Sequence, residues 1–317
     1  MTVRQLYERA VSAGMENDPR GKELVEKEIE ATKKAYDELK EKDREYFDKE
    51  SLTNPYSDTR ILNGSGDEEV NALIAGIDIE VGEVVLADHL RSRGRRVDLL
   101  VSHHPEGMAF ANLYEVMKIQ ADILGRFGVP INIAESLMEK RISEVERRLM
   151  PINHNRAVDA ARLLNIPFVC FHTPADNMVA SYLQRLFDEK KPYKLSDVID
   201  LLLEIPEYRD AKRTGAGPSV LLGSEKRKAG KIFVDMTGGT EGSKEIFQSL
   251  TTSGVNTIVA MHLSEEHRKE AENNHLNVII AGHIASDNLG LNLLFDKILD
   301  DGVEVMECSG YKRYTHN

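Results

Sequence analysis

The chain has 317 residues, with 53 acids against 41 bases and a formal charge of −12. That length suits one large domain or two ordinary ones, with a hydrophobic core that needs no disulfides. With 41% apolar and 30% charged residues a disordered chain is excluded, the apolar runs fall far short of the roughly 20 residues of a membrane helix, and the acidic balance argues against a general nucleic-acid binder.

Residues 1–8 lack the apolar core of a secretory signal. The only cysteines are Cys170 and Cys308, with no CxxC pair, so a reducing, cytoplasmic setting is expected. Residues 2–50 read as helical, with apolar residues at near-helical spacing among many Glu and Lys and a break at Asp18-Pro-Arg-Gly21. A charged, solvated helical face is the reading for this segment. Loop signals follow at Asn54-Pro-Tyr-Ser-Asp58 and Asn63-Gly-Ser-Gly-Asp67.

A strand–helix alternation then begins. Residues 72–77 read as a strand, 82–90 as a helix closed by Gly94, and 97–101 as a second strand. This is the pattern of a βαβ unit and a parallel sheet. A helix over 113–127, a strand at 131–134, helices around 136–149 and 157–164, and a strand at 167–171 come next. Residues 178–210 look helical, with polar loops at Glu189-Lys-Lys-Pro192 and near Ile205-Pro206, and residues 213–218 look like a linker. Strands follow at 219–222, 231–235, 256–260, 277–281 and 303–306, with helices at 240–251, 263–274 and 286–299. The expected fold class is α/β: two α/β lobes with mixed sheets flanked by helices, plus an N-terminal helical extension. The extension takes residues 1–60, the first lobe 61–185 with 283–317, and the second lobe 186–282.

Three strand ends carry metal-ligand chemistry. Ser102-His-His-Pro105 follows the strand at 97–101. In open α/β sheets ligands bind outside the carboxyl ends of strands, and His103 and His104 there could serve different metals of a pair; a satisfied histidine pair in a loop is the alternative. His172-Thr-Pro-Ala-Asp176 follows a strand in the same way. Asp176 could coordinate or bridge cations, or cap the next helix, and His172 reads as orienting a neighbour through a ring N–H. Gly282-His-Ile-Ala-Ser-Asp287 puts His283 and Asp287 four apart, on one helix face. The alternative is a helix start whose dipole Asp287 favours. Together His103, His104, Asp176, His283 and Asp287 suit a pair of divalent first-row cations such as Zn, Fe or Mn. Met236-Thr-Gly-Gly-Thr-Glu-Gly-Ser243 lacks the P-loop lysine and reads as a tight turn. His262-Leu-Ser-Glu-Glu-His267 reads as a helix capped by Ser264.

These motifs together resemble the Ngg-interacting-factor-three family, the dinuclear metal-centre proteins, many of which are described as GTP cyclohydrolase I type two. The family pattern is H-H-P at a strand end, a later H-T-x-x-D, and G-H-x-x-x-E opening a C-terminal helix. The glycine turn after Val234 and Asp235 also looks like the family's own. The resemblance covers roughly residues 58–300 and implies a two-lobed fold with two divalent metal ions between the lobes. It further implies a homo-oligomer, typically a hexamer, whose sites face an internal cavity. Three departures stand out: Asp287 in place of Glu, a longer spacing from His104 to Asp176 with a charged insertion near 136–150, and the helical extension.

The function expected is a metal-dependent hydrolase acting on a small molecule, a nucleotide being one candidate, with Glu106 as a candidate general acid. No membrane and no nucleic-acid partner is expected. The alternative is a non-catalytic metal-binding regulatory or assembly protein. D-H-H phosphoesterases also place adjacent histidines after a strand, but Ser102 stands where their aspartate would be.

Overall fold

Nine strands form two sheets in a computed structural model that describes residues 1–316. The first sheet contains β1 (Arg60–Asn63), β2 (Ala72–Gly76), β3 (Leu99–Ser102), β4 (Phe168–Cys170) and, from the far end of the chain, β9 (Glu304–Cys308). The second contains β5 (Ser219–Leu222), β6 (Lys231–Asp235), β7 (Val255–Ala260) and β8 (Asn277–Ile280). The spatial orders are β1-β4-β3-β2-β9 and β5-β8-β7-β6. Each sheet is parallel except for one antiparallel edge strand, β1 against β4 and β5 against β8. Both sheets are therefore mixed. β2, β3 and β4 are buried along their whole length, as expected of strands covered on both faces.

Two helices join the lobes and carry three of the residues singled out above. Thr173–Lys190 leaves β4, and His283–Ile298 leaves β8. They touch where Gly290 lies against Ala175; a Cβ on Gly290 would fall 2.5 Å from the Ala175 carbonyl oxygen. Gly290→Ala must therefore spread the two helices that hold Asp176 and Asp287. The expected cost is about 1–3 kcal/mol, read as a lowered melting temperature by circular dichroism.

The N-terminal segment is more than a solvated extension. Helix Val3–Glu16 begins in a capping box between Thr2 and Gln5 and buries Val3, Leu6, Tyr7, Ala10 and Val11 in the core of the first sheet. The next helix, Lys22–Glu38, fits the expectation of a charged face better, burying only Val25 and Ile29.

Several elements differ from their sequence reading. Residues 131–134 are not a strand but open the helix Ile131–Leu149. Ala134, Met138, Val145 and Leu149 form its single buried stripe, and that longer period overrides the local β-branched run. β1 lies hidden between two loop signals. The helix expected over 240–251 starts only at Ile246, because the glycine turn runs further. Gly238 sits at φ 100 within it, and a Cβ there would lie 2.5 Å from Gln120, so close packing accounts for the glycine. The helical stretch 178–210 divides at the two expected loops into three helices; only its start differs, the first helix beginning at Thr173 and ending at Lys191 in a left-handed conformation. Among the described residues no helix is long and apolar enough to cross a membrane.

Candidate metal centre

The carboxyl ends of β3 and β4 lie side by side, and the helix after β8 reaches them from the second lobe. The ladder runs on past β3: the His103 and His104 amides donate to the carbonyls of Gly76 and Ile77, at 3.0 and 2.8 Å. The two rings diverge only modestly, with centroids 5.3 Å apart. His172 joins them, 4.9 Å from His103, and His283 stands 5.2 Å from His104.

Two carboxylates sit among these rings. Nε2 of His103 is 3.4 Å from Oδ1 of both Asp176 and Asp287. Nε2 of His104 and of His283 lie 3.5 and 3.6 Å from Oδ2 of Asp287, and Nε2 of His172 lies 3.8 Å from Oδ2 of Asp176. Two ligand groups result, His103–His172–Asp176 and His103–His104–Asp287, each with one ligand atom per residue within 4.8 Å of the others. His283 flanks the second group without completing a triplet.

The other ring nitrogens are held from behind. His104 Nδ1 donates to Asp78 at 2.7 Å, His172 Nδ1 to Asp58 at 2.8 Å, and His103 Nδ1 to the Phe171 carbonyl at 3.2 Å. This arrangement fixes the rings and aims Nε2 inward, as carboxylates and carbonyls do behind metal-binding histidines. Thr173 also donates to Asp58, at 2.6 Å. His172, read from sequence as an orienting group, is itself oriented by Asp58, and its Nε2 joins a candidate ligand group. Asp58 and Asp78 carry no motif signal, since both lie in loops far from the strand-end histidines in sequence.

Both oxygens of Asp287 are buried and have no hydrogen-bond partner, although buried polar atoms are almost always bonded. Three imidazole nitrogens surround them at distances too long for good hydrogen bonds. That is the gap a cation would fill, and an imidazole and carboxylate donor set suits Zn, Fe or Mn better than Mg or Ca. In the metal-free protein protons take the cation's part. Burial disfavours charged His103, but Asp287 and Asp176 overcome it and raise the ring to about 10. Burial also opposes the charge on Asp287, and His103 holds it well below the usual carboxylate range. For His172, burial is outweighed by Asp176 and by the Asp58 hydrogen bond, and its pKa rises. His283 shifts down, chiefly through burial.

The alternatives for the acids separate cleanly. Asp176 makes no capping bond; the N-cap position is His172. Asp287 lies beyond the first turn of its helix. Ser264 does cap its helix, accepting from the His267 amide. Glu106 lies outside both ligand groups, where burial and the nearby Glu80 raise it to about 7.

The second lobe closes the cleft. Its wall includes Thr237, Glu241, His262 and His267, opposite Asp176, His283 and Asp287. His262 lies 4.8 Å from His283 ring to ring and 3.5 Å from Glu241. The hydrogen bond with Glu241 outweighs partial burial and raises the His262 pKa.

The fold and site thus define a two-lobed α/β protein with a His/Asp candidate metal centre between its lobes. The structure is similar to a NIF3 superfamily protein from Sphaerobacter thermophilus, with a TM-score of 0.69 and 28% identity over 80% of this chain and 91% of that one. It is also similar to reduced HcgD from Methanocaldococcus jannaschii (TM-score 0.48, 17% identity, 78% and 87% covered). A third similar structure is TTHA1606 from Thermus thermophilus (TM-score 0.43, 17% identity, 78% and 86% covered). No family profile and no curated protein matches the sequence. In fold and in its strand-end motifs the chain is NIF3-like.

Proposed function

We propose that this protein is a metal-dependent hydrolase that holds two divalent first-row ions and acts on a small molecule, a nucleotide being the first class to test. The observation that carries the reading is Asp287: a buried carboxylate without hydrogen bonds, ringed by the Nε2 atoms of three histidines. His103, His172 and Asp176 would hold one ion, and His104, His283 and Asp287 the other. When bound, such a pair lowers the pKa of water and polarises the bond to be broken.

The chain's own residues supply the rest. Asp58 and Asp78 keep two rings in the tautomer that leaves Nε2 free. His262, half exposed on the facing wall and favoured in its charged form by Glu241, holds a proton for the leaving group. That role, assigned from sequence to Glu106, fits His262 better because His262 lines the cleft.

Elemental analysis of the protein as purified, followed by assays of Mn-, Fe- and Zn-loaded protein against nucleotides and phosphoesters, tests the reading. Two ions per chain and metal-dependent turnover are expected; loaded protein that turns over none of them overturns the enzyme. Asp58→Asn should lower metal affinity about 10–100-fold by releasing His172, measured by calorimetric titration. An unchanged affinity would remove His172 from the ligand set.

A further inference from the structure

Behind the glycine turn lies a cavity of about 470 Å³, within the range of small-molecule sites. None of the candidate metal ligands lines it. It is bounded by the end of the first helix at Glu16–Pro19, by helices Ile119–Arg126 and Thr173–Lys190, and by β6. Asp235, Met236, Thr237, Gly242 and His267 line both this cavity and the metal cleft, so the two share a wall.

The cavity has two chemically distinct ends. Its floor is apolar: Ile123, Phe127, Met138, Phe233, Ile246 and Phe247. The Phe127 and Phe233 rings, 4.5 Å apart, offer a surface suited to a flat body. Arg126, Arg185 and Lys231, all exposed, make up its solvent-facing side. Arg126 and Lys231 bond only main-chain carbonyls, of Pro19 and Phe127, and Arg185 has no ion pair among the described residues. Of the acids there, Asp18 is held by the buried Arg20, which leaves Glu16 and Asp188 against three cations. Asp235 on the inner wall repels an anion. A ligand with one charged end would therefore lie ring inward and charge outward.

We propose that this cavity binds a small amphipathic anion, an aromatic body on the phenylalanine floor with its anionic group among Arg126, Arg185 and Lys231. It is a binding site distinct from the metal centre and does not require metal to be present. The helical segment at the N-terminus gains a purpose, since Glu16–Pro19 completes the cavity.

The test is calorimetry of the full chain, treated with chelator, against naphthalene-1-sulfonate, with 1-naphthalenemethanol as the neutral control. Because the chain has no tryptophan, Phe127→Trp places a single fluorescent reporter in the cavity. We expect one saturable site whose occupancy changes the reporter's emission. The exposed double variant Arg185→Gln/Lys231→Gln should weaken the sulfonate about fivefold and the neutral control less than about twofold, as loss of two exposed charge contacts predicts. The absence of saturable binding at millimolar sulfonate, binding that leaves the reporter silent, or a sulfonate affinity indifferent to the double variant would each overturn the proposal. Chelated protein keeps this result separate from any failure to load metal.

Discussion

Replacing His103 with alanine should abolish tight metal binding at the His103–His172–Asp176 group and weaken it at Asp287, whereas His104→Ala should spare the first group. His103 is the residue the two groups share. Its Nε2 is equally close, at 3.4 Å, to Asp176 and Asp287. In the metal-free protein its charged ring is also what keeps two buried carboxylates together. Removing it leaves them facing each other without a counter-charge, and breaking a buried pair of this kind costs about 3–5 kcal/mol. His103→Ala should therefore lose metal and stability together, seen by elemental analysis and urea melts. His104 is more exposed and bonded to the exposed Asp78, so its alanine variant should melt near wild type and retain the His103–His172–Asp176 group. A His103→Ala protein that carries a full metal complement would show that His103 holds no ion.

The strand-end histidines are legible because their meaning is local. A histidine pair directly after an apolar strand, and a His and an acid four apart at a helix start, fix their own surroundings over a few residues. That the ends of β3, β4 and β8 converge, across two sheets, is implied by the family resemblance and not by any local signal. What the sequence hides is carried by contacts between distant segments. Asp58 meets His172 across 114 positions, and nothing around Asp58 distinguishes it from any other loop aspartate. For His172 the ligand and orienting roles share the same local surroundings, and it is the distant Asp58 bond at Nδ1 that turns its Nε2 toward Asp176. The strand reading at 131–134 fails on length, since four β-branched and small residues are ambiguous until the stripe through Leu149 is counted. The glycine turn is legible as a turn, but Gln120, which fills the space a Cβ would need at Gly238, lies 118 positions earlier in the chain.

Metal affinity should rise steeply with pH, while the stability of the metal-free protein falls over the same range. A ligand imidazole must lose its proton before it binds a metal. His103 titrates at about 10 in the metal-free protein, so at any lower pH one proton leaves when the ion at His103 binds. The apparent affinity then gains about tenfold per pH unit. Stability runs the other way. The folded-state pKa of His103 lies above its unfolded value of about 6.5. Its contribution is therefore complete below that value and disappears as pH climbs through about 10. Asp287 governs the acid side: its folded pKa is depressed, so its contribution is present above about 3.9 and is lost as pH falls. Metal-free protein should be most stable in mildly acidic solution and weaken toward alkaline pH. Protein saturated with Mn or Zn should instead hold its stability over that interval, because the gain in affinity offsets by mass action what the lost His103 proton takes away. Melting temperatures with chelator and with metal, taken across the neutral-to-alkaline range, should diverge. His103→Gln, which cannot hold the proton, should flatten the metal-free curve and remove one proton from the affinity slope. Parallel curves for the two wild-type forms would mean that the proton on His103 and the metal do not compete for the same nitrogen.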